Sequence, residues 1–575
     1  MFAHLGPEAL LISIALLMAL VCPQLGDDWF SRIERGLSNI ARRRGLAVLT
    51  CGLSALGLRL ALLPWLPVPL PYINDEFSFL LASDTFAHGR VANPTHPMWV
   101  HFETFHVIFH PTYASMYPPL QGLILAAGQV LAHSPFWGVW FSVGTMCAAF
   151  CWMLQAWLPP SWAFLGGMLP VLRFGVLSYW DNGYWGGALA ATGGALVLGA
   201  LPRIMRHQRV RDAILMSFGV AMLANTRPYE GMMLSVAVGI MLVVWAIRKR
   251  PAAGPLLRRV ALPMLLILAV AGVATGYYFW RVTGSPTKMP QQVNRDTYAI
   301  AKYFYWQAAY PEPEYHHKAI RDFYQGAELR QFDQAHAFKG VVRQIAIKSA
   351  MAWVFYITPV FTIPLLFFVG VLRHRRTRWL WIAGAVGIAS SALVVFFNLH
   401  YIAPVVSVLI AAIVHGMRNL RLCAFDGKRS GQFLVRAVVV LCILMVPIQT
   451  HLLATAPAPG SWAAIGPERA AIAKQLNALP GPQLVLVRYG SNHDPMLDWV
   501  YNGADIDGQK VVWARDMGEA QNAELLRYFN DRSVWLLDAD DSRPRLVQYA
   551  VPRLHNTAQN LVGKQQTSSV RRVEP

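Results

Sequence analysis

The sequence predicts a polytopic α-helical membrane protein with a small α/β domain at its C-terminal end. Hydrophobic residues make up 55% of the 575 residues and charged residues only 14%, whereas a soluble chain carries about 25% charged residues. The chain also contains many apolar runs of roughly eighteen residues or more, which is the length that a membrane-spanning helix needs. After the last of these runs, strand patterns alternate with helix patterns, which favours a compact α/β fold.

The formal net charge of +19 is explained by the position of the basic residues. Most Lys and Arg lie in short connectors between apolar runs, and such connectors stay on the cytoplasmic side of a membrane. The charge therefore requires no nucleic-acid partner. We expect an integral membrane protein surrounded by lipid, in a bacterial inner membrane.

Placing the basic connectors in the cytoplasm gives about twelve crossings, with both termini outside. The apolar segment 120–133 is too short to span, because a crossing needs about 20 residues. We interpret it as a helix lying at the outer interface. The predicted crossings are 3–22, 46–66, 136–157, 162–179, 186–201, 212–227, 229–247, 259–280, 346–372, 378–397, 401–416 and 433–454.

This path divides the chain into four parts. Residues 1–45 form an extra N-terminal transmembrane helix with a basic cytoplasmic loop. Residues 46–454 form the main transmembrane domain, with outer loops at 67–135 and 281–345. A Pro-rich linker at 455–460 leads to an extracytoplasmic domain at 461–575.

The C-terminal part reads as a parallel α/β domain. Three short runs rich in β-branched and aromatic residues predict strands, and they are separated by helical patterns. The predicted strands are 483–488, 510–513 and 533–537, and the predicted helices are 494–501 and 519–529.

The predicted outer face holds the unusual polar sequence, beginning with the adjacent carboxylates Asp75 and Glu76. Charge close to a bilayer is costly and tends to mark function. Either carboxylate could act as a general base or a metal ligand. The alternative is a solvated loop that caps the helix that follows.

A second outer carboxylate, Asp181, lies between aromatic residues in the segment Trp180–Trp185. It is a further candidate for the catalytic site. Aromatic residues are also normal at a membrane interface, so an interfacial belt is an equal alternative.

Candidate substrate-binding residues follow on the same face. Arg227 could bind a phosphate in a bidentate manner, although pairing with Glu230 is the alternative. The other candidates are Tyr117, Tyr229, Arg281, Lys288, His400 and Tyr401. Cations opposed by carboxylates on one face would suit an anionic lipid head group together with a hydroxyl-bearing acceptor.

The first outer loop is rich in histidine, and His101, Glu103 and His106 are candidate ligands of a divalent metal ion. No zinc-site spacing is present. Loop histidines are more often polar surface, so no cofactor is expected as a requirement.

In their order, these motifs resemble the GT-C superfamily of membrane glycosyltransferases, especially family 39, which includes the protein mannosyltransferase and aminoarabinose transferase group. The resemblance spans about residues 46–416, and Tyr117 stands where the family often has Lys. The segments that carry it are Asp75–Glu76, Tyr117–Leu120, Asp181, Thr226–Pro228, Thr283–Pro286 and His400–Pro404.

The resemblance implies a GT-C-like fold and an inverting transfer of a hexosyl or pentosyl group from a polyprenyl-phosphate sugar to an extracytoplasmic hydroxyl. The acceptor would belong to a glycan, a lipid or a protein. In this family the first carboxylate, here Asp75, would be the base, while Arg227, Lys288 and His400 could stabilise the phosphate leaving group.

Two other functional classes remain open. A transporter or flippase of lipid-linked saccharides would carry polar or broken segments at mid-membrane and internal repeats, whereas the helix interiors here are mostly apolar. A non-catalytic envelope assembly protein would present the C-terminal domain to a partner, and Asp75 would then be dispensable.

Overall fold

The computed structural model describes residues 4–373, 376–424, 427–455, 464–541 and 543–549. Most of the predicted linker 455–460 lies outside these residues. Each of the predicted crossings contains a helix, and the fold class is confirmed as a helical bundle with a C-terminal α/β region.

The N-terminal third supplies two helices that lead into the bundle and a polar first loop. The segment predicted to lie at the interface is helical, as α6, and its position in a membrane stays a prediction. The elements are α1 (Leu5–Val21), α2 (Asp27–Arg42), α3 (Arg44–Ala61), α4 (Asn74–Ala87), α5 (Trp99–Phe102), β1 (Val107–Ile108), β2 (Ala114–Ser115) and α6 (Pro119–Ala132).

The middle third is a run of apolar helices. A π-helical turn at Val171–Gly175 ends α8, and another at Leu257–Ala261 joins α12 to α13. The elements are α7 (Phe136–Leu154), α8 (Pro160–Pro170), α9 (Ala188–His207), α10 (Val210–Ala224), α11 (Pro228–Lys249), α12 (Ala253–Leu256) and α13 (Leu262–Thr283).

The second outer loop and the last bundle helices follow. A 3₁₀ segment at Leu399–Val405 leads directly into α20. The elements are α14 (Pro290–Tyr298), α15 (Lys318–Arg321), α16 (Leu329–His336), α17 (Phe338–Ala352), α18 (Thr358–Leu366), α19 (Arg378–Ala392), α20 (Val406–Leu420) and α21 (Ser430–Ala454).

Among the described residues, eight helices are long and apolar enough to cross a membrane. The count of about twelve crossings stays a prediction, because α1, α8, α10 and α19 are shorter than this criterion requires. The eight are Arg44–Ala61, Phe136–Leu154, Ala188–His207, Pro228–Lys249, Ala253–Thr283, Phe338–Leu366, Leu399–Leu420 and Ser430–Ala454.

Helix α9 is the central helix of the bundle and is almost entirely buried, whereas α13 is almost entirely exposed along its apolar surface. The close crossing of α9 with the segment Leu399–Val405 depends on Gly194. A Cβ at this position would lie 1.8 Å from the carbonyl oxygen of Pro404. This contact fixes the height at which His400 and Tyr401 stand in the bundle.

The C-terminal region is a four-stranded sheet in the order β4–β3–β5–β6. Strands β4, β3 and β5 are parallel, as predicted, and β6 pairs antiparallel with β5. The predicted helix at 494–501 is wrong in most of its length, because only Pro495–Leu497 turns, as a 3₁₀ helix. The elements are α22 (Ile465–Ala478), β3 (Gln483–Arg488), β4 (Val511–Arg515), α23 (Glu519–Tyr528), β5 (Ser533–Asp538) and β6 (Leu546–Gln548).

One face of this sheet packs on the first loop. Leu484 and Val512 of the sheet share a hydrophobic core with Phe102 and Tyr113 of the loop. The ring of Phe77 in α4 also stacks on Tyr501 at a centroid distance of 4.2 Å. The C-terminal region is therefore attached to the part of the chain that carries Asp75.

Candidate active site

Asp75 lies in the first turn of α4, where the helix dipole favours a negative charge. Its side chain is 21% exposed, and its Oδ2 atom is 3.8 Å from Nδ1 of His106. The hydroxyl of Tyr117 donates a hydrogen bond to Oδ1 of Asp75. The carboxylate is therefore oriented on one side and remains open to a second ligand.

His106 is brought to Asp75 by an unusual backbone. Its φ angle is +59°, in the left-handed region that residues with a side chain rarely adopt. The carbonyl oxygen of His106 accepts hydrogen bonds from Oγ of Ser78 at 2.6 Å and from the amide of Met116 at 3.2 Å. These bonds hold the imidazole beside both Asp75 and Tyr117.

Tyr117 connects Asp75 to the rest of the site. Its ring stacks on Phe79 at 4.4 Å. Burial, followed by the charge of Asp75, raises the pKa of the Tyr117 hydroxyl well above its ordinary value. Tyr117 is therefore a hydrogen-bond donor at neutral pH. Tyr401 lies within electrostatic range of the same hydroxyl.

Glu76 has a different environment from its neighbour. It is fully buried, and its Oε2 atom accepts hydrogen bonds from the amides of Tyr72 and Ile73 at 3.0 and 3.3 Å. Its Oε1 atom accepts from the amide of Tyr184 at 2.8 Å. Burial raises the pKa of Glu76 to about 7, although these amides oppose the shift. Glu76 thus fastens the start of α4 to the loop that holds Asp181.

Asp181 is 1% exposed and is not brought to Asp75. Its Oδ2 atom lies 3.9 Å from Nε of Arg59, and neither carboxylate oxygen has a hydrogen-bond partner in the described part of the chain. Burial raises the pKa of Asp181 to about 8, against the opposing effect of Arg59. A catalytic role for Asp181 stays a prediction.

Arg227 stands at the start of α11, and its guanidinium lies 3.9 Å from the centre of the Tyr401 ring. Within the described ranges, no carboxylate lies within 4.0 Å of this group. Tyr401, Glu230 and Tyr117 are all within its electrostatic range. The alternative of a direct Arg227–Glu230 ion pair is therefore not realised, and Arg227 is a half-buried cation held ready for an anion.

His400 and Tyr229 are two further predicted substrate-binding residues, and each has a hydrogen-bond partner in the protein. His400 is 5% exposed, and its Nδ1 atom is 3.1 Å from the hydroxyl of Tyr179. Tyr229 donates its hydroxyl to the carbonyl of Ser390 at 3.3 Å. Both side chains are held by protein partners.

The other two predicted cations lie at the surface. Arg281 is exposed and donates a hydrogen bond to the hydroxyl of Tyr277 at 3.0 Å. Lys288 forms a 3.0 Å ion pair with Asp296, and both side chains are more than one third exposed. Only Arg227 of the predicted cations combines partial burial with a free charge next to the Asp75 group.

The three candidate metal ligands point to different places. Nδ1 of His101 is 3.3 Å from the carbonyl oxygen of Arg515, whereas Glu103 binds Tyr298 and His316. His106 faces Asp75. In the residues that the structure describes, no three His, Cys, Asp or Glu side chains are grouped to hold a metal ion. This set does not fit a metal, and no chemical step is derived through one.

Sequence reasoning missed the contact of His106 with Asp75 and the part played by Tyr179. The left-handed backbone at His106 has no signal in the sequence, because it is imposed by Ser78 and Met116 from other segments. The position of Tyr179 beside the Trp180–Trp185 motif was a usable signal.

No family model matches the chain, and no curated protein matches it. Among solved structures, it is similar to ArnT from Cupriavidus metallidurans in the apo state, with a TM-score of 0.46 and 13% identity over 83% of this chain and 91% of ArnT. ArnT bound to undecaprenyl phosphate gives the same TM-score and identity over 84% of this chain.

The chain is also similar to an oligosaccharyltransferase of Archaeoglobus fulgidus tethered with an acceptor peptide. That match has a TM-score of 0.45 and 9% identity, over 86% of this chain and 69% of the other. Because the TM-scores and identities are low, residue roles rest on the geometry of this chain.

Proposed function

We propose that this protein is an inverting membrane glycosyltransferase that moves a sugar from a polyprenyl-phosphate donor to a hydroxyl acceptor. The observation that carries the proposal is the pairing of an open carboxylate with a free cation. The hydroxyl of Tyr117 donates a hydrogen bond to Asp75, and Arg227 lies close enough to Tyr117 to interact with it electrostatically. A reaction that takes a proton from one oxygen and leaves charge on another needs both groups.

Asp75 is the base in this proposal. It accepts the proton of the acceptor hydroxyl as the acceptor oxygen forms a bond with the anomeric carbon. Tyr117 donates to one carboxylate oxygen and so leaves the other for the substrate. Nδ1 of His106 lies 3.8 Å from this second oxygen.

Arg227 binds the phosphate of the donor. The bond between the anomeric carbon and the phosphate oxygen breaks as the acceptor attacks, and the polyprenyl phosphate leaves with the bonding electrons. A planar guanidinium can bind two phosphate oxygens at once. Its stacking on Tyr401 limits its motion, so the charge is already in place when the leaving group develops.

The apolar helices support a reaction at a membrane surface. The positions of the basic connectors assign the site and the C-terminal domain to the extracytoplasmic side. Soluble nucleotide sugars are scarce there, which favours a lipid-carried donor. A transporter is the less favoured function, because the polar groups of the site gather at one end of the helices.

The test uses membranes that contain the wild-type protein or Asp75→Asn, supplied with a set of polyprenyl phosphates that carry different sugars. We expect wild type to release polyprenyl phosphate and form a glycosylated product with one donor, and Asp75→Asn to form almost none. Asp296→Asn is the matched control, since Asp296 is a surface carboxylate paired with Lys288. Equal transfer by wild type and Asp75→Asn contradicts the role of Asp75 as base, and no transfer from any donor contradicts the proposed activity.

A further inference from the structure

A cavity lies between the first and second outer loops. Its volume is about 80 Å³, and its lining includes Trp99, Glu103, His110, Tyr298, Glu314 and His316. A single buried water needs roughly 10–15 Å³ of such volume. The cavity therefore has room for several water-sized groups, such as the hydroxyls along one edge of a sugar ring.

Trp99 supplies the aromatic surface of this cavity. The imidazole of His110 meets its ring at 4.5 Å and that of His316 at 5.2 Å, both at right angles. An indole ring presents a flat apolar face to a ligand at little conformational cost. The axial C–H groups of a pyranose ring form a matching apolar face.

Polar atoms around Trp99 remain available to a ligand. His316 is 47% exposed and uses Nδ1 toward Glu103, so that its Nε2 atom is free. His110 and Glu314 are exposed, and neither makes a hydrogen bond within the described ranges. These groups can donate to and accept from neighbouring hydroxyls.

The wall that holds these groups is rigid. Glu103 is 2% exposed, and it accepts hydrogen bonds from Tyr298 at 2.7 Å and His316 at 3.0 Å. The guanidinium of Arg515 donates to the carbonyl of Glu103 at 2.7 Å. Two outer loops and the C-terminal domain therefore meet at Glu103, three residues before His106.

We infer that this cavity, centred on Trp99, binds a neutral saccharide portion of the acceptor. The inference rests on the proposed function, because Asp75 would act on a hydroxyl of the same acceptor. A phosphate is a poor fit, since the two carboxylates Glu103 and Glu314 face the cavity. A metal ion is a poor fit too, because the described residues offer no three-ligand cluster. An aromatic plane bordered by hydrogen-bonding groups suits a polyhydroxylated ring.

The test measures binding apart from transfer. Purified full-length protein in detergent is titrated with a panel of neutral methyl glycosides and short oligosaccharides, and binding is followed by saturation-transfer NMR. The variants are Trp99→Ala and Glu314→Gln. Trp306→Ala is the matched control, since Trp306 is a 66% exposed tryptophan of the second outer loop that stacks on Phe304 and is not among the residues that line the cavity.

We expect wild type and Trp306→Ala to bind at least one member of the panel, and Trp99→Ala to bind it about tenfold more weakly. Glu314→Gln keeps a hydrogen-bonding side chain and should weaken binding about threefold. An unchanged unfolding temperature shows that each variant is folded. If no glycan binds wild type, or if Trp99→Ala binds as well as Trp306→Ala, the inference is overturned.

The glycan-binding test can fail or succeed independently of the transfer test of the proposed function. Glycan binding that depends on Trp99 without transfer from any polyprenyl-phosphate sugar supports the cavity as a site and contradicts the activity. Transfer that depends on Asp75 without glycan binding at Trp99 supports the activity and removes this cavity from it.

Discussion

Asp75 lies in the first turn of α4 and Asp181 lies in a loop, and their surroundings are opposite. Asp75 is 21% exposed and receives a hydrogen bond from Tyr117. Asp181 is 1% exposed, has no hydrogen-bond partner among the described residues, and faces Arg59 from 3.9 Å. A base must reach its substrate, and of these two carboxylates only Asp75 is partly exposed.

Glu76 connects the start of α4, which carries Asp75, to the loop that carries Asp181. Glu76 binds the amide of Tyr184 with one oxygen and the amides before α4 with the other. The sequence places Asp75 and Glu76 side by side, but their helix turns one toward the site and the other into the protein. We therefore propose a chemical role for Asp75 and a positioning role for Glu76.

The largest expected effect comes from replacing the two aspartates in parallel. Asp75→Asn should lower the transfer rate by about 100- to 10,000-fold, because it removes the proton acceptor. Asp181→Asn should change the rate by less than about threefold, because Asp181 does not contact the site. The measurement is kcat with one donor and one acceptor, and comparable losses in both variants would contradict the division of roles.

Arg227→Met should lower kcat by about 100- to 1,000-fold, because the developing phosphate charge loses its cation. Arg227→Lys should recover only part of the rate, since an ammonium cannot make the bidentate contact. Both variants should also raise the KM for the lipid donor. A wild-type rate for Arg227→Met would remove Arg227 from the site.

Glu76→Gln should reduce the transfer rate by about tenfold, because α4 and the Asp75 that it carries would be displaced. It should also lower the free energy of unfolding by about 1–3 kcal/mol, since the amide nitrogen of Gln must face a backbone N–H. Thermal unfolding and kcat are measured on the same preparation. Unchanged stability would show that the three amide contacts do not hold the loop.

The stability of the protein should depend on pH through Asp181. Its pKa is raised from an ordinary 3.8 to about 8, so the folded state binds a proton that the unfolded chain has lost. The contribution of Asp181 to stability is therefore fully present below about pH 4 and is lost as the pH rises toward 8. Asp181→Asn should flatten the fall in unfolding temperature over this range, and an unchanged profile would contradict the buried, protonated carboxylate.

The smallest effect is expected at Lys288. Lys288→Met should alter transfer by less than about twofold, because its charge is already paired with Asp296 in an exposed ion pair. A large loss in this variant, with wild-type stability, would show that Lys288 changes partner when the donor binds.

Much of the fold followed from local sequence. The apolar run of α9 and the short runs of β-branched and aromatic residues in β3 and β5 predict their elements, because run length and composition are properties of single segments. The prediction of a helix at 494–501 was wrong in most of its length, because Asp498 accepts hydrogen bonds from Thr104 and Arg515 in other segments of the chain. Tertiary partners, rather than local pattern, set the conformation of a short segment that carries a buried charge.

The sequence by itself determined the helical membrane class, the parallel C-terminal strands and the set of charged residues that could form a site. Only the tertiary structure decided which of them are free to act. Lys288 and Arg227 look alike in sequence, yet Lys288 is paired at the surface, whereas Arg227 is stacked on Tyr401 with no carboxylate of the described residues within 4.0 Å. The physical reason is that charge pairing and burial are set by contacts between distant segments, whereas helix and strand patterns are written in neighbouring residues.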